Sequence, residues 1–423
     1  MESLLAGVQY VLNLGPTVIL PIAILIIGLL FGTGFKTSFK SGITIGIGFV
    51  GINLVIGVLT GNLGPAAQQM VERFGLNLTV IDAGWPAAAA ASWASPVAAI
   101  LIPICLIVNI VLLMLKWTKT LDIDIWNYWH FIAAGATGYI VTNSWVVAII
   151  MAIIYEILVL KIADWTAPLI QKYFGLEGIS LPTGSTAAFG PIGILVGWLI
   201  TKVPGLGKLH ADPESIQKRF GIFGEPMMMG LILGAVIGLL AGYDVGGVTQ
   251  IAISMAAVMF LMPRMVKILM EGLIPISEAA RNFLQKRYGD REVYIGLDAA
   301  LSVGHPSVIA TALILVPITI FIAIILPGNK VLPFGDLATI PFYIAFVVAF
   351  LRGNIIHSVI AGSVMVALSL WMATNFAEVH TLLMEGAQFT APGGATEISS
   401  LDLGGNLLNW LILKLSQAWH AIF

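Results

Sequence analysis

Residues 78–95 read LTVIDAGWPAAAAASWAS, and residues 293–307 read VYIGLDAALSVGHPS. Each stretch is short, rich in alanine and other small residues, and carries both an acidic residue and a proline. Neither resembles a spanning helix, which needs about 20 mainly apolar residues to cross the hydrocarbon. Irregular backbone at membrane depth must face protein or a water-filled cavity, because lipid cannot satisfy its polar groups. The sequence therefore predicts two re-entrant hairpins, at 78–95 and 293–307.

The two hairpins belong to a repeat that runs through nearly the whole chain. Arg73-Phe-Gly75 followed by Asp82 resembles Arg287-Tyr-Gly289 followed by Asp298, at an offset of about 210 residues. The same offset and order relate four further pairs: Leu101-Ile-Pro-Ile104 with Leu315-Val-Pro-Ile318, Asp124 with Asp336, Gly15-Pro16 with Glu225-Pro226, and Gly197-Trp-Leu-Ile200 with Asn409-Trp-Leu-Ile412. Each match is short, but their common offset and order indicate two related halves.

The high apolar content of the chain indicates that much of its surface faces lipid. Hydrophobic residues make up 58% of the chain and charged residues only 10%, against about 25% charged in a soluble domain. We predict spans at 15–33, 42–60, 96–115, 130–142, 144–163, 226–242, 247–263, 308–327, 339–351 and 354–376, with 406–422 as a candidate eleventh. The Gly-rich segment 180–203 fits no simple span, and we interpret it as re-entrant or as a broken helix. The predicted fold class is an all-α polytopic membrane protein with about 10–11 transmembrane helices.

The positions of lysine and arginine predict the orientation. With the N-terminus outside, seventeen of the 20 basic residues fall on the cytoplasmic side, two fall outside and one lies within the last segment. This bias follows the positive-inside rule. The basic stretch 264–291 corresponds to the nearly uncharged 61–77, so equivalent loops lie on opposite sides. The predicted domains are therefore two inverted repeats, 1–203 and 226–423, joined by a cytoplasmic linker at 204–225. Inverted repeats are a recurring plan among transporters.

Several function classes are excluded by what the sequence lacks. Cys105 is the single cysteine, so a disulfide framework and a multi-cysteine metal site are excluded, and a small core side chain is its simplest interpretation. There is no Walker A loop, HExxH, GxSxG or CxxC motif. The N-terminus has no basic region followed by a cleavage site, which predicts no cleaved signal peptide. We expect no metal, no organic cofactor and no nucleic-acid partner.

The hairpins hold the strongest candidates for substrate contact, because ionisable groups at membrane depth are costly. The carboxylate of Asp82 can accept hydrogen bonds from sugar or polyol hydroxyls, and Trp85 can stack on an apolar C–H face. Asp82 can equally cap a half-helix, with Trp85 as core filling. In the second hairpin, Asp298 and His305 are candidates, and His305 titrates near neutral pH. It is the predicted base, although a lone histidine is more often structural.

Weaker candidates lie outside the hairpins. Ser185 and Thr186 offer hydroxyl groups on flexible backbone, or they bond only to nearby carbonyl groups. Glu225 precedes a predicted helix, where the helix dipole alone favours an acidic residue. Asn354 and His357 are predicted to line a cavity next to Arg352, which is itself an expected positive-inside anchor.

These motifs together resemble a known family. Asp82-Ala-Gly-Trp-Pro86, Phe223-Gly-Glu-Pro226 and Gly304-His-Pro-Ser307, in this order and at this chain length, resemble the membrane IIC component of the bacterial phosphotransferase system. The resemblance is to its ascorbate–galactitol superfamily, most closely to the galactitol-type IIC permease. It implies a homodimer with a scaffold and a mobile core that moves like an elevator. It also implies that Asp82, Trp85, Asp298 and His305 face the substrate.

The resemblance further implies a separate IIB protein, which is phosphorylated on cysteine by IIA and phosphorylates the bound sugar from the cytoplasmic face. The basic surfaces at 202–219 and 264–291 are candidate docking sites for IIB. Few cations flank the hairpins, which favours a neutral polyol over the anion that ascorbate-type members bind. We therefore predict a permease of the bacterial inner membrane that couples uptake of a hexitol, such as galactitol, to its phosphorylation. One alternative is a proton- or sodium-coupled secondary transporter, which needs no soluble partner. A second is an intramembrane enzyme, for which the sequence shows no evident nucleophile or group of metal ligands.

Overall fold

A computed structural model describes residues 16–75, 79–211, 213, 225–288, 293–333, 335–386 and 397–422. The first half contains α1 (Pro16–Leu30), α2 (Phe35–Phe74), β1 (Val80–Asp82), α3 (Gly84–Ala94), α4 (Ala98–Met114), β2 (Thr120–Asp122), α5 (Tyr128–Thr142), α6 (Trp145–Phe174), β3 (Ile179–Ser180), α7 (Gly184–Ala187) and α8 (Gly190–Lys202). Short 3-10 helices lie at Ile125–Asn127 and Leu206–Lys208.

The second half follows nearly the same order. It contains α9 (Pro226–Ala241), α10 (Val245–Tyr288), β4 (Tyr294–Gly296), α11 (Ala300–Val303), α12 (Pro306–Ile325), β5 (Val331–Leu332), α13 (Ile340–Phe350), α14 (Ile355–Gly386), β6 (Glu397–Ser399) and α15 (Leu407–Ile422), with a 3-10 helix at Leu337–Thr339 before α13. In each half, a long second helix leads to a strand, a helix broken in two, a second strand and a 3-10 turn.

The six strands form two small parallel sheets that exchange strands between the halves. In one sheet, β1 lies between β5 and β6, with Val80 opposite Val331 and Glu397. In the other, β4 lies between β2 and β3, with Ile295 opposite Leu121 and Ile179. Each sheet thus takes its central strand from one half and its outer strands from the other. We name them the β1 sheet and the β4 sheet.

These sheets correct the prediction of an all-α fold. The first arm of each predicted hairpin is a strand, and the second arm is a short helix that breaks before α4 or α12. The buried backbone of these arms needs hydrogen-bond partners, and distant segments of the other half supply them. A strand of three residues cannot reveal partners that lie more than 100 residues away in the chain. Whether the hairpins re-enter the membrane remains a prediction.

Two groups of helices make up the molecule. Helices α1, α2, α9 and α10 pack mainly on one another, and we call them the four-helix group. The remaining helices surround the two sheets, and we call them the core group. Contact between the groups runs mainly through α9 with α12 and through α2 with the 3-10 turn at Leu337–Thr339.

The predicted spans correspond to helices, several of which are longer than predicted. Among the described residues, four helices are long and apolar enough to cross a membrane, and further apolar helices are shorter. The four are Trp145–Phe174, Gly184–Lys202 counted across its break, Pro306–Ile325 and Ile355–Gly386. Helices α2 and α10 have 40 and 44 residues, well beyond the predicted 42–60 and 247–263. At about 1.5 Å per residue each exceeds the hydrocarbon thickness. Segment 180–203 is a helix broken between α7 and α8, as one of the two interpretations held.

Helices α9 and α10 approach closely along a row of glycines spaced by four. A Cβ at Gly234 would lie 2.7 Å from both the carbonyl oxygen of Ile251 and the Cα of Ala252. A Cβ at Gly230 would lie 2.5 Å from the carbonyl oxygen of Met255. Small residues at this spacing let helix backbones meet, as is common in membranes.

Gly234→Val should therefore destabilise the protein by at least about 2 kcal/mol, because the obstructing atoms are backbone and cannot move aside. The measurement is the free energy of unfolding in detergent. Gly61→Val is the matched control, since it is also a glycine within a helix but a Cβ there meets nothing within 4 Å. Equal stability of the two variants would contradict the close α9–α10 contact.

Candidate functional site

Asp82 joins the first hairpin to the second half of the chain. Its Oδ1 accepts a hydrogen bond from the Gly84 N–H at 3.0 Å, and its Oδ2 accepts one from the Asp336 N–H at 2.8 Å. Asp336 in turn binds the first hairpin, because its Oδ1 accepts a hydrogen bond from the Trp85 N–H at 2.6 Å. Both oxygens of Asp82 are thus engaged by backbone donors. Asp82 and Trp85 remain predicted substrate contacts, and the structure adds a structural role for Asp82.

Asp298 and Asp124 repeat this arrangement at the β4 sheet. Asp298 Oδ1 accepts the Ala300 N–H at 2.6 Å, and Asp124 Oδ1 accepts the Trp126 N–H at 3.0 Å. The backbone N–H of Asp298 also faces the Asp124 carboxylate. Burial is the main cause that raises the pKa of Asp124, and the negative charge of Asp298 raises it further. The pairs Asp82–Asp336 and Asp298–Asp124 each join a hairpin to the loop before a 3-10 turn of the other half. We call them the two aspartate pairs.

A third polar cluster, fully buried, lies between the aspartate pairs. Ser185 Oγ donates to Asp402 Oδ2 at 2.7 Å and lies 3.3 Å from His130 Nε2, which is itself 3.9 Å from Asp402 Oδ1. Asp402 also connects the cluster to Asp336, whose Oδ2 accepts the Asp402 N–H at 2.9 Å. Asp298 interacts electrostatically with both His130 and Asp402. We call His130, Ser185, Thr186 and Asp402 the polar centre.

The polar centre holds more hydrogen-bonding capacity than the protein itself uses. His130 Nδ1, Thr186 Oγ1 and Asp402 Oδ1 have no hydrogen-bond partner among the described residues. A buried polar atom without a partner is costly, so native structures usually supply a ligand or water for it. The sequence predicted Ser185 and Thr186 but missed His130 and Asp402. A signal for Asp402 existed in the polar run Ser399-Ser-Leu-Asp-Leu-Gly-Gly-Asn406 before the last apolar helix.

His305 lies in a different neighbourhood. Its Nδ1 accepts the Ser307 N–H at 3.2 Å, and its half-buried ring packs on Tyr173 and Phe174, with centroids 4.7 and 5.6 Å away. A Cβ at Gly353 would lie 2.5 Å from Tyr173 Oη and 2.9 Å from Ser307 Oγ, so the turn after Arg352 packs beside this site. No described contact joins His305 to the polar centre.

Asn354 and His357 hold a surface segment in place. Asn354 Nδ2 donates to the carbonyl of Leu209 at 2.8 Å, and His357 Nε2 lies 2.8 Å from the carbonyl oxygen of Leu206. The two side chains also contact each other at 3.0 Å. These contacts anchor segment 206–211, so a role in lining a cavity stays a prediction. Glu225 is half-buried at the start of α9, and its side chain makes no capping hydrogen bond.

Aromatic rings and cations complete the surroundings. Trp85 and Trp126, whose backbone N–H groups bond to Asp336 and Asp124, meet edge to face with ring centroids 6.1 Å apart, and both are half-buried. No lysine or arginine whose exposure the structure describes is buried. Among the described residues, no cluster of three His, Cys, Asp or Glu side chains is arranged to hold a metal ion. The site therefore offers hydrogen bonds and aromatic faces for a ligand.

A polytopic helical protein with broken helices around a buried polar centre has the architecture of a membrane transporter. The sequence profile described as the PTS system sugar-specific permease component, EIIC-GAT, matches residues 10–394. Two relatives named galactitol-specific EIIC component, from Escherichia coli K12 and O157:H7, are 45% identical over 96% of this chain and 90% of their own length. A putative permease IIC component of E. coli K12 is 41% identical over 96% of this chain and 93% of its own. The chain belongs to the family of phosphotransferase-system (PTS) sugar-specific permease components.

Proposed function

We propose that this protein is the membrane permease subunit of a PTS that takes up galactitol or a closely related hexitol. The 45% identity to proteins named galactitol-specific supports this substrate. The observation that carries the proposal is the polar centre, whose unpartnered atoms on His130, Thr186 and Asp402 lie fully buried with Ser185. Such a site selects strongly for ligands that satisfy its polar groups, because a ligand without hydroxyls leaves them unpaired.

The chemistry of the polar centre fits a neutral polyol. A carboxylate oxygen accepts from hydroxyl groups, and histidine and threonine can donate or accept as the ligand requires. No lysine or arginine whose exposure the structure describes is buried to compensate an anionic sugar. Half-buried Trp85 and Trp126, which contact each other and bond to Asp336 and Asp124, offer apolar faces to the C–H groups of a polyol. Together these groups would hold a hexitol by hydrogen bonds and aromatic contact.

Phosphoryl transfer would take place near His305. The donor is the phosphocysteine of a IIB partner, which IIA phosphorylates; its S–P bond breaks as a substrate hydroxyl forms the O–P bond, and the thiolate leaves. Because Nδ1 accepts the Ser307 N–H, the neutral imidazole of His305 carries its proton on Nε2 and would donate a hydrogen bond to the substrate hydroxyl or the phosphoryl group. The hydroxyl proton would then pass to the departing thiolate, and the predicted role of His305 as the base would require its ring to give up the bond to Ser307. Lys172 and Arg352, which adjoin Tyr173 and Gly353 of this site in the chain, fall on the predicted cytoplasmic side, from which IIB would approach. Catalysis would come mainly from orienting the hydroxyl toward the phosphorus.

The proposal also includes two inverted repeats, the orientation in the membrane, a mobile core group and a homodimer. The repeated element order, the exchanged strands and the bias of basic residues support two inverted repeats with the N-terminus outside. Three of the basic residues counted for that bias, Lys218, Arg219 and Arg291, lie outside the described residues, as do 212 and 214–224 of the linker 204–225. The limited contact between the two helix groups supports motion of the core group past the four-helix group, which would be the scaffold. The scaffold would also form the homodimer.

The decisive experiment is uptake of labelled galactitol into vesicles that contain the full-length protein, with and without phosphorylated IIB. We expect galactitol phosphate to accumulate only with phosphorylated IIB. Accumulation of free galactitol driven by a proton or sodium gradient would assign the protein to secondary transport instead. Phosphorylation of arabitol or another polyol in preference to galactitol would keep the mechanism and change the substrate.

A further inference from the structure

Tyr155 of α6 carries a buried hydroxyl group that has no role in the site described so far. Its side chain is fully buried, and its Oη has no hydrogen-bond partner among the described residues. The side-chain amide of Asn406 lies nearby, but it already donates to the Asp402 carbonyl at 2.6 Å and accepts the Asn409 N–H at 2.8 Å. A buried tyrosine hydroxyl usually has a partner, so the unused hydroxyl of Tyr155 requires an explanation.

The hydroxyl of Tyr155 lies beside the polar centre. A Cβ at Gly184, the residue before Ser185, would lie 2.7 Å from Tyr155 Oη and 2.3 Å from His130 Cδ2. The rings of Tyr155 and His130 are nearly parallel, with an interplanar angle of 6° and centroids 6.4 Å apart. A methyl group at position 184 would displace both rings, so the glycine lets Tyr155 and His130 share one space next to Ser185.

The free atoms of the polar centre are mainly acceptors. Ser185 Oγ gives its proton to Asp402 Oδ2, so its contact with His130 Nε2 leaves Nδ1 of the neutral ring as an acceptor. Asp402 Oδ1 is a second acceptor, and Thr186 contributes a hydroxyl. A buried polyol hydroxyl that donates to Asp402 or His130 also needs a donor for its own oxygen. The O–H group of Tyr155 can be that donor.

We propose that Tyr155 is a substrate-binding residue whose hydroxyl donates to one hydroxyl group of the bound polyol, and that Gly184 leaves room for this contact. The inference rests on the proposed function and adds a determinant of specificity to it. The substrate hydroxyl accepts from Tyr155 while it donates to Asp402 or His130. A ligand without a hydroxyl at that position leaves both protein groups unpaired, so the site discriminates against it.

The first test compares galactitol binding to the full-length parent and to Tyr155→Phe by calorimetry. The variant should bind about tenfold more weakly, which corresponds to the loss of one neutral hydrogen bond. Tyr139→Phe is the matched control, since Tyr139 is half-buried near the other end of α5 from His130, with its ring on Trp145. The control should bind like the parent, and parental affinity in Tyr155→Phe would overturn the inference.

The second test separates contact with the substrate from a structural role. The parent and Tyr155→Phe are compared on a series of monodeoxy galactitols, each of which lacks one hydroxyl. For the analogue that lacks the hydroxyl bound by Tyr155, the difference in affinity between the two proteins should disappear, because both complexes lack the same hydrogen bond. The other analogues should keep a difference of about tenfold. An equal loss for every analogue would assign Tyr155 a structural role and overturn the inference.

Gly184→Ala tests the same contact from the other side. Its methyl group would meet His130 and Tyr155 Oη, so it should weaken galactitol binding at least as much as Tyr155→Phe does. Parental affinity in this variant would contradict the space assigned to the substrate. A parent protein that binds no hexitol would overturn the proposed function and this contact with it, whereas a parent that binds galactitol as tightly as both variants do would overturn only the role of Tyr155.

Discussion

Replacing Asp402 by asparagine should weaken galactitol binding by about a hundredfold or more while leaving the fold intact. The Oδ1 of Asp402 is buried and unpartnered, and its Oδ2 holds Ser185. An amide of the same shape loses the charge, and one hydrogen bond to a charged group contributes roughly 1.5–3 kcal/mol. Two such bonds from substrate hydroxyls correspond to at least a hundredfold change in affinity. Calorimetry on the detergent-purified protein gives the dissociation constant directly.

Two serine variants provide a comparison for Asp402→Asn, one within the polar centre and one outside it as a control. Ser185→Ala removes a member of the polar centre and should weaken binding less, by about tenfold, because a neutral hydroxyl contributes roughly 0.5–1.5 kcal/mol. Ser363→Ala on α14 removes a hydroxyl that bonds only to the carbonyl of Val359 and should bind like the parent. Parental affinity in Asp402→Asn, with all three variants folded, would remove Asp402 from the substrate site.

Replacing Asp336 by alanine should lower the free energy of unfolding by about 3 kcal/mol or more. Its carboxylate accepts the Trp85 N–H at 2.6 Å, the Ser400 hydroxyl at 2.7 Å and the Asp402 N–H at 2.9 Å. All three donors would be left without their partner in the interior, and each such loss costs roughly 1–3 kcal/mol. The measurement is reversible unfolding by denaturant in mixed micelles, compared with the parent protein.

Asp244→Ala is the matched control for Asp336. Asp244 is an exposed aspartate that caps α10 by accepting one N–H, from Gly247 at 2.8 Å. Its loss should cost about 1 kcal/mol, as for other helix caps. If Asp336→Ala were no less stable than Asp244→Ala, the contact between the first hairpin and the second half would not stabilise the fold.

The positions of the helices could be predicted because the length of a run of apolar residues can be read from the local sequence. Most predicted spans correspond to one helix, and the proline or small-residue breaks near Ser95 and Gly304 fall where the structure has turns. The ends of α2 and α10 were missed, since their polar final turns carry no signal of lipid burial. The matched offset of Asp82 with Asp298 and of Asp124 with Asp336 also has a structural counterpart, as these residues form the two aspartate pairs.

The sheets and the polar centre were beyond prediction for a different reason. Val80-Ile-Asp82 pairs with residues more than 200 positions away, and no local pattern encodes such a partner. His130 and Asp402 each look like an isolated polar residue, and only folding brings them within 3.9 Å. Asn354 and His357 were predicted to line a cavity, which stays a prediction, and the segment that they bind could not be foreseen.

The exchange of strands has a consequence for the synthesis of the protein. Among the described residues, 80–82 pair with 331–332 and 397–399, so about 250 further residues must be translated before this strand gains its first partner. At roughly 5–20 residues per second, this delay lasts on the order of 10–50 s. During that time the ribosome-bound chain carries unpaired backbone and the carboxylate of Asp82 within or beside the bilayer. The insertion machinery must therefore shelter the first half until the second half arrives.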